Sequence, residues 1–315
     1  MALSDLEVFS EYAYDAMTET IDQQIHLFNE ASRFAIRLET VRRQGDYSHT
    51  AFFKEIDALV QMRNPYVDED VATVQLEHAD HVGVKVGIGT KPVSIKKSDF
   101  NWLKQNPKQG GVVYGKQLAA AAIQTNLNSA ISSVGAAIST IPALTHTVDT
   151  KVTREALAGG VAKFEDRWES IAIWVIHGAA IHDIFLSALQ NNERLFHFGN
   201  VSVQDDGFGR PIIATNAPGL RLPNGKSKTL GLVTGAVTIE DQDDFESNVE
   251  SNNGKTNIQR TIQSEWSVSV NIKGFAWDVA NGGNAPTEAA LATPENWTKV
   301  VTSDRSTAGV MVVSN

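Results

Sequence analysis

Histidine–acid pairs, a glycine-flanked Lys-Ser turn and a run of carboxylates are the parts of this chain whose residue types could do chemistry. Glu77-His78 with Asp80-His81 brings metal-ligand side chains close together. A metal needs three or four donors on one point, and a strand sends successive side chains to opposite faces. The segment therefore reads as a solvated strand end, and a metal-dependent enzyme using His78 and His81 is kept as a competing reading. Gly219-Leu-Arg-Leu-Pro-Asn-Gly225-Lys226-Ser227 imitates a phosphate-binding loop. Its glycines are separated by one residue too many, Pro223 stiffens it, and a strand-like run follows where the phosphates need a helix N-terminus. Glu240-Asp-Gln-Asp-Asp-Phe-Glu246 has the charge of a calcium loop without its glycine or its closing bidentate Glu. His177 and His182 flank Gly178 with no serine beside them, which predicts hydrogen-bonded core or interface histidines. With zero cysteines, disulfides and thiolate catalysis are excluded. No catalytic residue, cofactor-binding residue or metal ligand is assigned, and no cofactor is expected.

A chain of 315 residues can bury a sizeable core. Its formal net charge of -10 argues against an electrostatic grip on nucleic acid. No apolar run approaches the roughly 18 residues of a membrane span.

The elements that must carry these residues follow from spacing. Leu3 to Phe28 is amphipathic at helical period, with Val8, Tyr12, Ile21, Ile25 and Phe28 on one stripe. That helix either packs on its own domain or docks as an arm on a neighbour. Arg33 to Glu39 alternates at period two and predicts a charged two-stranded projection. Val71 to Ile95 continues the β pattern, broken at Gly83, Gly87 and Gly89. Leu118 to Ile141 predicts a long spine helix with a narrow stripe from Ile123 to Ile141, stopped by Pro142.

Thr153 is placed to cap a second helix whose face holds Leu157, Val161, Phe164 and Trp168. Ile171 to Ile176 reads as a strand buried on both faces, with a helix behind it through Leu189. Leu230 to Ile239 and Gln263 to Val270 predict strands. The tail holds a short helix at Thr287 to Leu291 and a strand at Val310 to Val313. Gly207 to Leu220, reading GFGRPIIATNAPGL, is a short buried strand between two turn clusters and contains nothing reactive.

Three segments carry a resemblance: Gly207 to Leu220, Glu265 to Asp278 with its Lys-Gly-Phe-Ala-Trp-Asp corner, and Asn284 to Leu291 with Asn296-Trp297 and Ala308-Gly-Val. In this order they resemble the major capsid proteins of tailed double-stranded DNA bacteriophages, the Hong Kong-97 type. The opening Ala2-Leu-Ser-Asp-Leu with Glu11-Tyr12 is similar to one subgroup.

The resemblance implies an α+β, Hong Kong-97-like capsid fold. It implies an N-terminal arm (1–32), an extended β-hairpin loop over a neighbour (33–70), a peripheral domain with a long spine helix (71–144 and 258–279) and an axial α/β domain (145–257 and 280–315). It also implies a structural, non-enzymatic protein that self-assembles as hexamers and pentamers into an icosahedral head around phage DNA, without sequence-specific binding. Its partners would be copies of itself, a portal protein, a decoration protein, and a separate scaffolding protein, since the arm pattern begins at Ala2. Its location would be the virion, after assembly in the host cytoplasm. An encapsulin-like nanocompartment shell is the alternative on the same fold. Some members crosslink Lys to Asn, and Lys54 is the conceivable donor here.

Overall fold

In a computed structural model of the chain, the described residues are 2–43, 45–56, 59–60, 62–68, 70–95, 106–185, 194–198, 201–205, 210–252, 256 and 258–315. Helix α1 (Ala2–Ala31) leads, and helix α2 (Pro107–Ser139) is the spine. Pro107 at the first turn suits a helix start, and the Ala- and Gln-rich run sustains it for 33 residues, about 50 Å. Every residue from Ser129 to Ile138 is buried. The expected narrow stripe holds only for the first half. Beyond it the small side chains let other elements close on all sides, and Ser133 satisfies its buried hydroxyl on the Ser129 carbonyl at 2.6 Å.

Helix α1 uses its apolar side on its own chain, burying Phe9, Ala13, Met17 and Phe28. The buried line starts at Phe9 and Ala13, and Val8 and Tyr12 sit at its margin. The crossing with α2 is close: a Cβ on Gly115 would stand 2.2 Å from the Ala13 carbonyl oxygen.

The first sheet contains β1 (Ile36–Thr40), β2 (Tyr47–Phe53), β3 (His78–Gly89), β4 (Val93–Ile95), β11 (Val237–Asp241), β12 (Glu246–Asn252) and β13 (Gln259–Ile272). Its order is β1-β11-β13-β3-β2, with β12 and β4 on the N-terminal half of β13. The projection predicted from Arg33 onward is differently built. Strand β1 pairs in parallel with β11, and the hairpin is β2 with β3. Arg33 and Phe34, at φ 50° and 56°, turn the chain off α1 and lay it beside β11. The three glycines do not break β3, which runs through Gly83 and Gly87.

The second sheet has the order β5-β16-β10-β6-β9-β8-β7, from Thr145–Thr147, Gly309–Ser314, Ser227–Val233, Ile171–His177, Pro211–Thr215, Val201–Asp205 and Arg194–Phe198 respectively. Parallel neighbours β6 and β9 are its buried centre, and β9 is buried at all five positions. Gly207 to Gly209 lie outside the described residues, as does the end of the helix expected through Leu189. That helix, α4, is Gly178–Phe185.

The run Leu230 to Ile239 is two strands in different sheets. Gly235, at φ +70°, turns the chain from β10 into β11 without interrupting the apolar pattern. Thr153 caps α3 (Arg154–Ala162), accepting from the Ala156 N–H at 3.2 Å. Trp168 leaves the predicted face because the helix ends at Ala162, and the indole is exposed.

After β13, Lys273-Gly274 turns into β14 (Phe275–Trp277), which pairs with β15 (Trp297–Lys299). Trp277 and Trp297 meet edge to face at 4.9 Å, and Asp278 caps α5 (Val279–Gly282). Thr287 caps α6 (Glu288–Leu291) in the same way. Among the described residues no helix is long and apolar enough to cross a membrane.

Candidate functional site

The reactive-looking residues are drawn into separate structural tasks. His78 begins β3 opposite Phe53 and is exposed, whereas His81, three residues on, faces the other side. His81 Nε2 donates to the Ile272 carbonyl, and burial holds its imidazole below the usual range. Glu77 is taken by Lys54 at 3.1 Å.

The Gly219–Lys226 run begins inside a 3-10 turn (Pro218–Leu220) packed on α2, where a Cβ on Gly219 would meet Ser132 Oγ at 2.5 Å. Lys226 reaches Asp149 at 3.3 Å and Ser227 enters β10 against Ser314. His177 accepts the Ala179 N–H on Nδ1 at 3.1 Å, and its pKa is lowered by burial and by Arg221. His182 is exposed on α4.

The acidic run is likewise dispersed. Buried Glu240 accepts from two guanidinium nitrogens of Arg43, Nε at 2.5 Å and Nη2 at 2.7 Å, and Asp243 pairs with Arg42. Burial raises the Asp241 carboxyl, with help from Asp244 and Asp243. Burial works in the same direction on Asp244, but hydrogen bonds from Ser267 and Lys85 outweigh it and hold that carboxyl below its usual range.

Between β2 and β3, every described residue from Leu59 to Glu77 is exposed. The β2–β3 stem rests on the sheet through Ser48, whose hydroxyl meets Asn271 Oδ1 at 2.5 Å over Gly83. Its base is fixed at Glu55. Arg167 reaches one carboxylate oxygen at 3.0 Å, Ser306 Oγ the other at 3.1 Å, and Thr302 Oγ1 the Glu55 carbonyl at 3.1 Å. Beyond that anchor the apolar side chains face outward: Val60 is 90% exposed, Met62 102% and Tyr66 92%, with Leu59, Val67, Val71, Val74 and Leu76 also exposed.

Sequence reasoning missed the anchor, because Glu55 lies 112 residues from Arg167 and 251 from Ser306 and no local pattern links them. The Arg42-Arg43 pair facing the acidic run was readable as charge complementarity.

A spine helix packed against two mixed sheets defines the Hong Kong-97-like fold. The holo-SrpI encapsulin complex from Synechococcus elongatus PCC 7942 is similar in fold, with TM-score 0.50 and 14% identity over 88% of this chain and 84% of that one. The chain belongs to the Gp13-like family, described as major capsid protein 13-like, whose model matches residues 5–311.

The Cyanophage Pam1 capsid asymmetric unit is similar at TM-score 0.49 and 10% identity, covering 89% of this chain and 88% of that chain. The head structure of Helicobacter pylori bacteriophage KHP40 is similar at TM-score 0.49 and 8% identity, covering 91% and 88%. No curated protein sequence matches. By family, the chain is a major capsid protein of phage heads.

Proposed function

We propose that many copies of this chain, arranged as hexamers and pentamers, close into an icosahedral head that encloses double-stranded DNA, and that the chain catalyses nothing. The observation that carries this is the segment 54–77. Among its described residues eight large apolar side chains are exposed beyond an anchored stem, and exposed apolar surface of this kind marks an interaction site. Covering them on a neighbour supplies association energy distributed over repeated symmetric contacts.

In this reading residues 1–32 are the arm and 33–70 the loop over the neighbour. Residues 71–144 and 258–279 form the peripheral domain, and 145–257 with 280–315 the axial one. Strands β11 and β12, within the axial range, pair with β13 of the peripheral range. A separate scaffolding protein, a portal and a decoration protein are the expected partners, and assembly takes place in the host cytoplasm. The family match favours a phage head over an encapsulin-like compartment.

Electron microscopy of the purified protein, alone and co-expressed with its neighbouring genes, tests the reading. Closed shells are expected, and a monodisperse monomer under every condition would overturn it.

A further inference from the structure

An open groove of about 640 Å³ at the start of β6 gathers side chains that lie far apart in the sequence. Arg33 comes from the turn after α1, Trp168 and Glu169 from the 3-10 segment before β6, Arg210 from the approach to β9, Thr234 from the end of β10 and Lys273 from the turn after β13. Three cations face one carboxylate here, in a chain whose formal net charge is -10. Arg42, Arg43 and Arg167 each take a carboxylate elsewhere, whereas among the described residues neither Arg33 nor Lys273 forms an ion pair. Partial burial and the nearby Arg167 hold the Lys273 ammonium below its usual range, so an anion arriving there offsets an unfavourable arrangement.

Aromatic surface lies beside these cations. The Arg210 guanidinium sits over the Trp168 ring at 5.6 Å, and its Nη2 donates to the Trp168 carbonyl at 3.2 Å, which fixes one group against the other. The indole is still 48% exposed, so ring surface remains open. Arg33 and Phe34 are consecutive non-glycine residues at positive φ. The Phe34 N–H donates to the Asn29 carbonyl at 2.8 Å, and the Phe34 carbonyl accepts from the Gly235 N–H at 2.7 Å. This costly backbone is held although both side chains stay exposed, and it fixes where Arg33 leaves the chain.

A ligand that matches both halves of the surface carries a planar ring and several negative charges. Inorganic phosphate meets the cations and leaves the indole bare. A DNA duplex offers phosphates but keeps its bases stacked inside. We propose that the groove binds nucleotides, with the phosphates between Arg33 and Lys273 and the base against Trp168. Every base has a face to stack, so the site takes all of them. A free nucleoside triphosphate and an unpaired strand offer the same chemistry. The site goes beyond the shell reading and does not depend on it.

Calorimetric titration of the purified full chain at low salt tests this with adenosine triphosphate, inorganic triphosphate, a thymidine oligonucleotide and a DNA duplex. Adenosine triphosphate is expected to bind on the order of tenfold more tightly than inorganic triphosphate, the gain expected from one stacked base. Trp168→Ala should remove that advantage and leave inorganic triphosphate binding as it was, while Trp168→Phe should keep most of it. Arg33→Gln with Lys273→Gln should weaken both ligands by about tenfold. All three side chains are exposed, so melting temperatures should match the parent's.

The oligonucleotide binding more tightly than adenosine triphosphate assigns the groove to an unpaired strand, and the reverse order assigns it to free nucleotides. Equal affinities for the two triphosphates, unmoved by Trp168→Ala, would make the groove a general anion surface and overturn the proposal. So would a duplex that binds as well as the oligonucleotide, or adenosine triphosphate that does not bind.

Discussion

Strand β9 and the segment 54–77 are both rich in apolar side chains, and the fold treats them in opposite ways. All five residues of β9 are buried between β6 and β8, whereas Val60, Met62 and Tyr66 of the segment face solvent almost completely. The difference lies in what flanks them. Pro211 starts β9 beside a parallel partner already covered by neighbouring elements, so its burial is complete within one chain. The segment 54–77 leaves a stem one hairpin wide, and a hairpin has no second layer to bury its apolar side chains against. One region stabilises the monomer, and the other leaves its described apolar side chains in solvent.

Four changes would break or sharpen that contrast. The largest effect belongs to the buried strand: Ile213→Ala should cost about 2–5 kcal/mol in chemical denaturation of the monomer. A cost under about 1 kcal/mol would mean that β9 is not core. Gly115→Val should cost about 1–3 kcal/mol, because the added carbons meet the Ala13 carbonyl and push α1 from α2. A melting temperature equal to the parent's would contradict the close crossing.

Third, acid should weaken the body. His81 and His177 both have lowered folded pKa values, so the unfolded chain takes up protons first. Stability is full above the unfolded value of about 6.5 and falls as pH drops through it toward the folded values. Melting temperatures at pH 7.5 and 5 should therefore converge in a His81→Gln, His177→Gln variant; an unchanged gap would refute the assignment. The smallest monomer effect belongs to the loop. Val60→Ser with Met62→Ser should shift monomer stability by no more than about 0.5 kcal/mol while lowering shell yield in sedimentation. A large loss of monomer stability would erase the contrast.

Much of the fold was legible because its signals are local. Helix α2, the buried strand β6, the alternating β13 and the Thr153 cap each follow from spacing or from one side chain and its own backbone. The misses share a different cause. Leu230 to Ile239 reads as one strand because the apolar pattern continues through the turn at Gly235 and gives no sign of the change of sheet. Strand β1 was visible, but its partner β11 lies some two hundred residues away and could not be read from period. Trp168 was placed on a helix face that the chain leaves after Ala162. In the candidate site, the exposed loop residues carry no reactive group to draw notice, and Glu55 becomes meaningful only once Arg167 and Ser306 are beside it.

The Glu55 anchor has a mechanical consequence. Held at its base by residues from two distant segments, the hairpin is a cantilever and not a tether. A pull at its tip runs along β3 and passes to β13 as shear across the antiparallel ladder from Val84–Val270 to Gly89–Glu265. Bonds perpendicular to the strands share such a load together instead of opening one at a time. Tension between neighbouring chains would then be borne by the spine and its sheet, leaving the buried centre of the second sheet unloaded.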